Sequence, residues 1–108
     1  MELKISTEND IRYVEVSGRL DAVISAGLQD KLMDLVQAGH KKMLVCMDQV
    51  EYISSSGLRA FLAVAKKVGH DGFIRFCCMQ PGVKEVFTIS GFNSIFGIYD
   101  TKEEGLAG

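Results

Sequence analysis

Five consecutive residues, Met43 to Met47, are apolar, and this short run constrains the fold more than any other feature. The run is too short for an independent helix, and it is bounded by the polar residues Lys42 and Asp48. An unbroken apolar run of this length is typical of a strand covered on both faces, as in parallel sheets. We therefore expect an α/β fold with this strand near the centre of the sheet.

Two further strands precede this run, and both alternate apolar and polar residues. We predict an edge strand over residues 1–7 and a second strand over residues 11–16, joined by a turn at Asn9 and Asp10. Gly18 is expected to end the second strand. These two strands should form an antiparallel hairpin at one edge of the sheet.

Three amphipathic helices are predicted from the spacing of apolar residues. We expect Ser25 to cap the first helix, Gly39 to end it, and Gly69 to end the second. The third helix is expected to begin at Pro81 and end at Gly91. The apolar positions that define the three buried faces are Leu28, Leu32, Leu35 and Val36; Leu58, Phe61, Leu62, Ala65 and Val68; and Val83, Val86 and Phe87.

Two short strands complete the pattern, over residues 73–79 and 95–99, and Thr101 is expected to cap a final helical turn. The order is therefore β-β-α-β-α-β-α-β across a single domain of residues 1–108. Strand–helix–strand units of this length require right-handed crossovers and parallel pairing. The predicted architecture is an α/β fold with a mixed, mostly parallel sheet of about five strands. It consists of an N-terminal β-hairpin followed by βαβ units, with helices packed on the sheet.

The charge balance and the hydropathy exclude several classes of function. With a net charge of −2 and an isoelectric point near 5.6, the chain offers no basic surface for nucleic acid. No apolar run approaches the ~20 residues of a membrane span, and the alternating N-terminus does not resemble an export signal. We therefore expect a cytoplasmic protein that neither binds nucleic acid nor inserts into a membrane.

The three cysteines, Cys46, Cys77 and Cys78, are expected to be reduced thiols that pack as small apolar residues. Because Cys77 and Cys78 are adjacent in a predicted strand, they should point to opposite faces of the sheet. The two histidines, His40 and His70, are isolated near predicted turns. No metal site and no cofactor are predicted.

Three hydroxyl residues, Ser54, Ser55 and Ser56, stand where the central strand gives way to the second helix. The free backbone N–H groups and the dipole at a helix start favour a phosphate there. Ordinary capping of the helix by Ser54 is the simpler structural interpretation. Counting the helical period from the predicted buried face turns Ser56 furthest from that face and Ser55 to its side, so Ser56 should be the more exposed hydroxyl.

An enzymatic function is not supported by the residues around these serines. A nucleophilic serine needs a base and an oxyanion hole, and the chain lacks a Gly-x-Ser-x-Gly motif and a histidine predicted nearby. The carboxylates of Asp21, Asp48 and Glu51 have no fixed separation in the sequence and are expected to be solvated. No P-loop or Gly-x-Gly-x-x-Gly motif is present, so nucleotide binding is not predicted.

The chain resembles the STAS domains, in particular the bacterial anti-sigma factor antagonists. Three segments carry the resemblance: Gly18 to Asp21 after the second strand, Asp48 to Leu58 at the strand–helix junction, and Pro81 to Phe92 in the third helix. Together they extend from residue 18 to residue 92 and follow one another in the order of the family. The resemblance implies a regulatory protein rather than an enzyme. It also implies that Ser55 accepts a phosphate, with Ser54 standing in place of the aspartate of the family's motif.

The resemblance further implies a regulatory cycle. In this cycle the unphosphorylated domain binds an anti-sigma factor, which is usually a serine kinase. The kinase phosphorylates the domain and so disables the domain. A serine phosphatase then restores the unphosphorylated domain. Ser56 and Ser54 are the alternative acceptors to Ser55. The alternative function is a constitutive, non-phosphorylated STAS interaction subunit of a larger assembly, such as a lipid-transport or signalling complex.

A partner-binding face is expected around the serines, because the carboxyl ends of parallel strands meet at one edge of a sheet. Asp21 follows the second strand and belongs at this edge, where a binding role and a plain turn or cap role are equally favoured. Arg59 is a suitable anchor for an acidic partner. The oligomeric state stays open, because an edge strand can pair with a neighbour or remain solvated. The predicted partner-binding residues are Asp21, Val23, Ile24, Ser54, Ser55, Ser56, Gly57 and Arg59.

Overall fold

The computed structural model describes residues 1–108 and contains one five-stranded sheet whose strands follow one another in chain order. The first pair is antiparallel and the other pairs are parallel. The predicted element order and the mixed, mostly parallel sheet are therefore confirmed. The strands are β1 (Glu2–Glu8), β2 (Ile11–Leu20), β3 (Lys42–Ile53), β4 (Phe73–Cys77) and β5 (Gly97–Tyr99). The helices are α1 (Ala22–Gln37), α2 (Ser55–Val68), α3 (Pro81–Ile89) and α4 (Lys102–Ala107).

The predicted turn between β1 and β2 is present at Asn9 and Asp10. Both residues have positive φ, 52° and 68°, and the flanking residues Glu8 and Ile11 are paired. Two successive residues with positive φ give a turn whose twist matches that of the strands, and Asn and Asp tolerate this conformation. The hairpin is thus set by its local sequence.

The second and third strands are longer than their sequence patterns predict. Gly18 does not end β2: it has a φ of +115° at an irregularity in the pairing with β3, and the strand continues to Leu20. Likewise β3 continues past Met47, with Val50 and Ile53 as its only buried residues beyond that point. The apolar run marks only the part of β3 that is covered on both faces. Beyond Met47, the irregular pairing with β2 disturbs the alternation of buried and exposed residues along β3. The sequence pattern therefore does not reveal this part of the strand.

Helix α1 begins four residues earlier than predicted, because Asp21 rather than Ser25 is its N-cap. The Asp21 carboxylate accepts a hydrogen bond from the backbone N–H of Ile24 at 2.9 Å. Ser25 instead lies inside the helix, buried and with its hydroxyl unpaired. Both residue types are favoured caps. Asp21 takes the role because β2 extends to Leu20 and the helix starts directly after it.

Two apolar clusters cover the two faces of the sheet. The larger cluster combines the inner faces of α1, α2 and α3 with Met43, Val45 and Met47 of β3. The smaller cluster contains Leu44 and Cys46 and is covered in part by α4. All residues from Met43 to Met47 are buried, so the predicted coverage of this strand on both faces is confirmed. No helix combines the length and the apolar character required to cross a lipid bilayer.

The expectation that Cys77 and Cys78 point to opposite faces of the sheet is wrong. Strand β4 ends at Cys77 instead of continuing to Met79, and Cys78 has a φ of +62°, in the left-handed region. This change of backbone direction brings Cys78 into the smaller cluster, beside Cys77 and Cys46. The three thiols of the chain therefore lie together on one face of the sheet.

Candidate partner-binding site

The starts of α1 and α2 lie side by side because β2 and β3 end at the same edge of the sheet. Leu20, the last residue of β2, is paired with Ile53, the last residue of β3. The carbonyl oxygen of Leu20 accepts hydrogen bonds from both the backbone N–H (2.9 Å) and the hydroxyl (2.8 Å) of Ser54. These bonds tie the two helix starts together and place Asp21 near the three serines.

Ser54 is the N-cap of α2, as predicted. Its backbone is extended, with φ −88° and ψ 171°, and its hydroxyl oxygen accepts a hydrogen bond from the N–H of Gly57 at 3.2 Å. The same hydroxyl donates to Leu20. Both hydrogen-bonding functions of this side chain are therefore used within the domain.

Ser55 and Ser56 lie in the first turn of α2 and differ in exposure. Ser55 is exposed, whereas Ser56 is half-buried. The Ser56 hydroxyl also accepts a hydrogen bond from the guanidinium of Arg59 at 3.3 Å. The prediction that Ser56 is the more exposed hydroxyl is therefore wrong.

The cause of this error is the position of the buried face of α2. The predicted face included Leu62 and Ala65, but both are only half-buried. At about 100° per residue, the observed face is rotated by roughly 70° from the predicted one, which turns Ser55 rather than Ser56 away from the core. The buried residues of α2 are Gly57, Leu58, Ala60, Phe61, Val64 and Val68.

Gly57 shapes the site without adding exposed surface to it. It is buried, and a Cβ atom at this position would lie 2.7 Å from Cγ1 of Ile53 and 3.3 Å from the carbonyl oxygen of Leu20. The first turn of α2 thus approaches the strand ends as closely as a residue without a side chain permits. Among the predicted partner-binding residues, Gly57 has a positioning role.

Exposed apolar and charged side chains lie near the starts of the two helices that begin at this edge of the sheet. Val23, in the first turn of α1, is 81% exposed, and Arg59 of α2 is exposed. The Asp21 carboxylate is exposed as well, but it serves as the cap of α1. The sequence analysis did not include Tyr52 in this face. Its side chain is 40% exposed, and the guanidinium of Arg19 lies over its ring at 4.5 Å from the ring centroid. The presence of an aromatic residue two positions before the cap of α2 could have indicated this role.

Neither histidine lies at this edge of the sheet. His40 stands just before β3, where its Nδ1 is 2.7 Å from a guanidinium nitrogen of Arg12, and His70 lies in a short 3₁₀ turn before β4. Both positions are at the amino ends of parallel strands, opposite the serines.

A mixed five-stranded sheet with a serine-capped helix start at its edge defines a class of small α/β domains. The sequence profile of the STAS domain family matches residues 2–105, almost the entire chain. The chain therefore belongs to the STAS domain family.

Several relatives of the chain are named as anti-sigma factor antagonists. A Bordetella bronchiseptica protein with the provisional name anti-sigma factor antagonist BtrV is 34% identical over 108 residues, 99% of this chain and 93% of that protein. The crystal structure of an anti-sigma factor antagonist from Mycobacterium paratuberculosis covers 98% of this chain and 91% of its own, with a TM-score of 0.90 at 21% identity. The Bacillus cell fate determinant SpoIIAA, in its phosphorylated form, has a TM-score of 0.74 at 16% identity, covering 98% of this chain and 97% of its own.

Proposed function

We propose that this chain is an anti-sigma factor antagonist that binds an anti-sigma factor with serine kinase activity while Ser55 is unphosphorylated. Phosphorylation of Ser55 by that kinase ends the interaction, and a serine phosphatase restores it. The observation that carries the proposal is the exposed Ser55 hydroxyl in the first turn of α2, at the edge where α1 also begins. The similarity to BtrV along nearly the whole chain supports this class of partner.

Ser55 is the preferred acceptor because the other two hydroxyls have structural duties. A phosphate on Ser54 would remove the cap that holds the N–H of Gly57 and the bond to Leu20. A phosphate on Ser56 would have to form on a half-buried side chain that is already bonded to Arg59. Ser55 alone combines exposure with a position at the positive end of the helix dipole.

The switch acts through the contact surface rather than through the fold. A phosphoserine carries roughly −1.5 to −2 charges at neutral pH, which the start of α2 tolerates. Burying that charge against a partner without a matching cation costs several kcal/mol. A penalty of only ~3 kcal/mol weakens binding by roughly two orders of magnitude.

The surface beside Ser55 has the composition of a small interface. Val23 offers an apolar anchor, and Arg59 offers a cation that can pair with an acidic partner. Val23 lies in the first turn of α1 and Ser55 in the first turn of α2, and both helices begin at the same edge of the sheet. We therefore expect a partner that buries Val23 to cover Ser55 as well, and to desolvate a phosphate there. Binding and phosphorylation therefore exclude one another.

The test is incubation with ATP and the cognate kinase, followed by intact-mass measurement. We expect the wild-type chain to gain one phosphate and Ser55→Ala to gain none. Ser56→Ala, a matched change in the same helical turn, should gain one phosphate at the wild-type rate. A phosphate that persists in Ser55→Ala would refute the assignment.

A constitutive STAS interaction subunit is the second candidate, and Ser54 favours it. The family resemblance places an aspartate at this position, so this chain lacks a carboxylate directly before the proposed acceptor. If the subunit is constitutive, the kinase assay adds no phosphate and Ser55→Asp binds its partner as tightly as the wild type. If Ser55 is a switch, Ser55→Asp weakens partner binding by at least about tenfold.

A further inference from the structure

We propose that Cys46, Cys77 and Cys78 form a site for one divalent thiophilic metal ion of the Zn²⁺ or Cd²⁺ type. The three sulfur atoms lie within 4.8 Å of one another, although the residues come from two strands and the turn that follows. Two independent features bring them together. Cys46 and Cys77 are register partners in adjacent parallel strands, and the positive φ of Cys78 turns its side chain to the same face.

The spacing of the thiols suits sulfur ligands around one ion. Zn–S bonds are about 2.3 Å long, so the sulfurs of a tetrahedral site are about 3.8 Å apart. The observed cluster reaches this geometry through closure by about 1 Å at most. Rotation of the Cys78 side chain can supply much of this movement, since Cys78 is the half-buried member of the set.

The surroundings of the cluster favour a cation. Cys46 lines an open groove of about 350 Å³ whose charged residues are Glu2, Lys4, Glu15 and Asp48. Three carboxylates against one amine give the groove a negative potential, which draws cations towards the thiols.

The charge balance favours a divalent over a monovalent ion. Binding forms three metal–sulfur bonds and releases three protons to solvent, with no change in oxidation state. Three thiolates with Zn²⁺ leave a residual charge of −1, whereas a monovalent ion leaves −2 at a largely buried position, which costs more to desolvate.

The test is titration of the reduced, metal-free chain with Cd²⁺ under a phosphine reductant, following the ultraviolet thiolate-to-metal absorption band. We expect saturation at one Cd²⁺ per chain, and displacement of bound Cd²⁺ by excess Zn²⁺. Cys78→Ala changes a half-buried residue and should fold normally, yet it should weaken binding by roughly 100-fold or more. His70→Ala, which removes an exposed ligand type elsewhere, should bind as the wild type does.

Thermal unfolding provides a readout that does not depend on absorption. Zn²⁺ should raise the Tm of the wild type and of His70→Ala, because the ion binds the folded state, and should leave that of Cys78→Ala unchanged. Cys46→Ala and Cys77→Ala should also lose the Tm shift. The proposal is overturned if the wild type shows no thiolate band at equimolar Cd²⁺, or if Cys78→Ala binds as tightly as the wild type.

Discussion

The hydroxyl of Ser54 holds the candidate site together, since it accepts from Gly57 while donating to Leu20. We expect Ser54→Ala to lower the free energy of unfolding by about 1 kcal/mol, the usual cost of a lost N-cap. The loss stays modest because the Leu20 carbonyl keeps its bond to the backbone N–H of residue 54. Urea denaturation measures the change. Ser56→Ala is the control and should change stability by less than about 0.5 kcal/mol.

Gly57 and Gly27 provide a matched pair of helical glycines with opposite expected effects. At Gly57 a Cβ atom would lie 2.7 Å from Ile53, whereas at Gly27 nothing lies within 4 Å. Gly57→Ala should therefore destabilise the domain by about 1–3 kcal/mol through overpacking. Gly27→Ala should stabilise it by about 0.5–1 kcal/mol, because alanine restricts the unfolded chain and favours the helix. Equal effects of the two changes on the urea midpoint would contradict this account.

Capping at the site could be predicted from the sequence, but exposure could not. Ser54 was identifiable as a cap from residue type and position, because capping is a local interaction. The relative exposure of Ser55 and Ser56 depends on which side of α2 meets the sheet. Gly57 decides this by permitting a close approach to the ends of β2 and β3. This close approach is a tertiary contact. Because α2 has small residues on two sides, its sequence pattern does not show which side makes that contact.

At the scale of elements, a negative charge should affect the start and the end of a helix in opposite ways. Phosphorylation of Ser55, at the start of α2, should leave the free energy of unfolding unchanged or raise it by up to about 1 kcal/mol. Ser90 caps the end of α3, and its hydroxyl donates to the carbonyl of Val86 at 2.7 Å. Ser90→Asp should therefore be destabilising, by about 0.5–2 kcal/mol.

Urea denaturation of the purified phosphoprotein and of Ser90→Asp, each against the wild type, measures both effects. A phosphoprotein that unfolds at clearly lower urea than the unmodified chain would show that the switch acts by disrupting the fold. A stabilising Ser90→Asp would show that helix-end electrostatics do not control stability here.

Element order was predictable because each strand and helix has its own apolar period, whereas several boundaries were not. The continuation of β2 through Gly18 and of β3 to Ile53 depends on their mutual pairing, including its irregularities. The end of β4 at Cys77 likewise depends on the backbone turn at Cys78. The proposed thiol site follows from that turn. Alternation along a continuous strand predicts separated cysteines, so sequence reasoning missed the cluster.

Across the whole molecule, the two faces of the sheet are covered unequally. The thinner side, which is the face covered by the smaller apolar cluster and α4, contains the groups with shifted pKa values. Burial raises the pKa of Cys77 and Cys78 above the ordinary 9.0, and that of Tyr13 above 10.0. Helix α4 covers this side, with the Lys102 ammonium 4.3 Å from the Tyr13 ring centroid. A hydrogen bond to Glu8 raises the pKa of Lys102. The thinner side of the sheet should therefore control stability at alkaline pH.

We expect the free energy of unfolding to fall as the pH rises above about 9. In that range the unfolded chain releases protons at ordinary pKa values while the folded chain retains them, so the folded state binds more protons and loses stability. Each such group contributes about 1.4 kcal/mol per pH unit, which gives roughly 2 kcal/mol for Cys77 alone by pH 10.5.

Urea denaturation between pH 7 and 10.5, with EDTA and reductant present, measures the slope of the free energy of unfolding against pH. Cys77→Ala should reduce the slope above pH 9, and Tyr13→Phe should reduce it only above pH 10. A free energy of unfolding that stays constant across this range would mean that Tyr13, Cys77 and Cys78 ionise as readily in the folded chain as in the unfolded one.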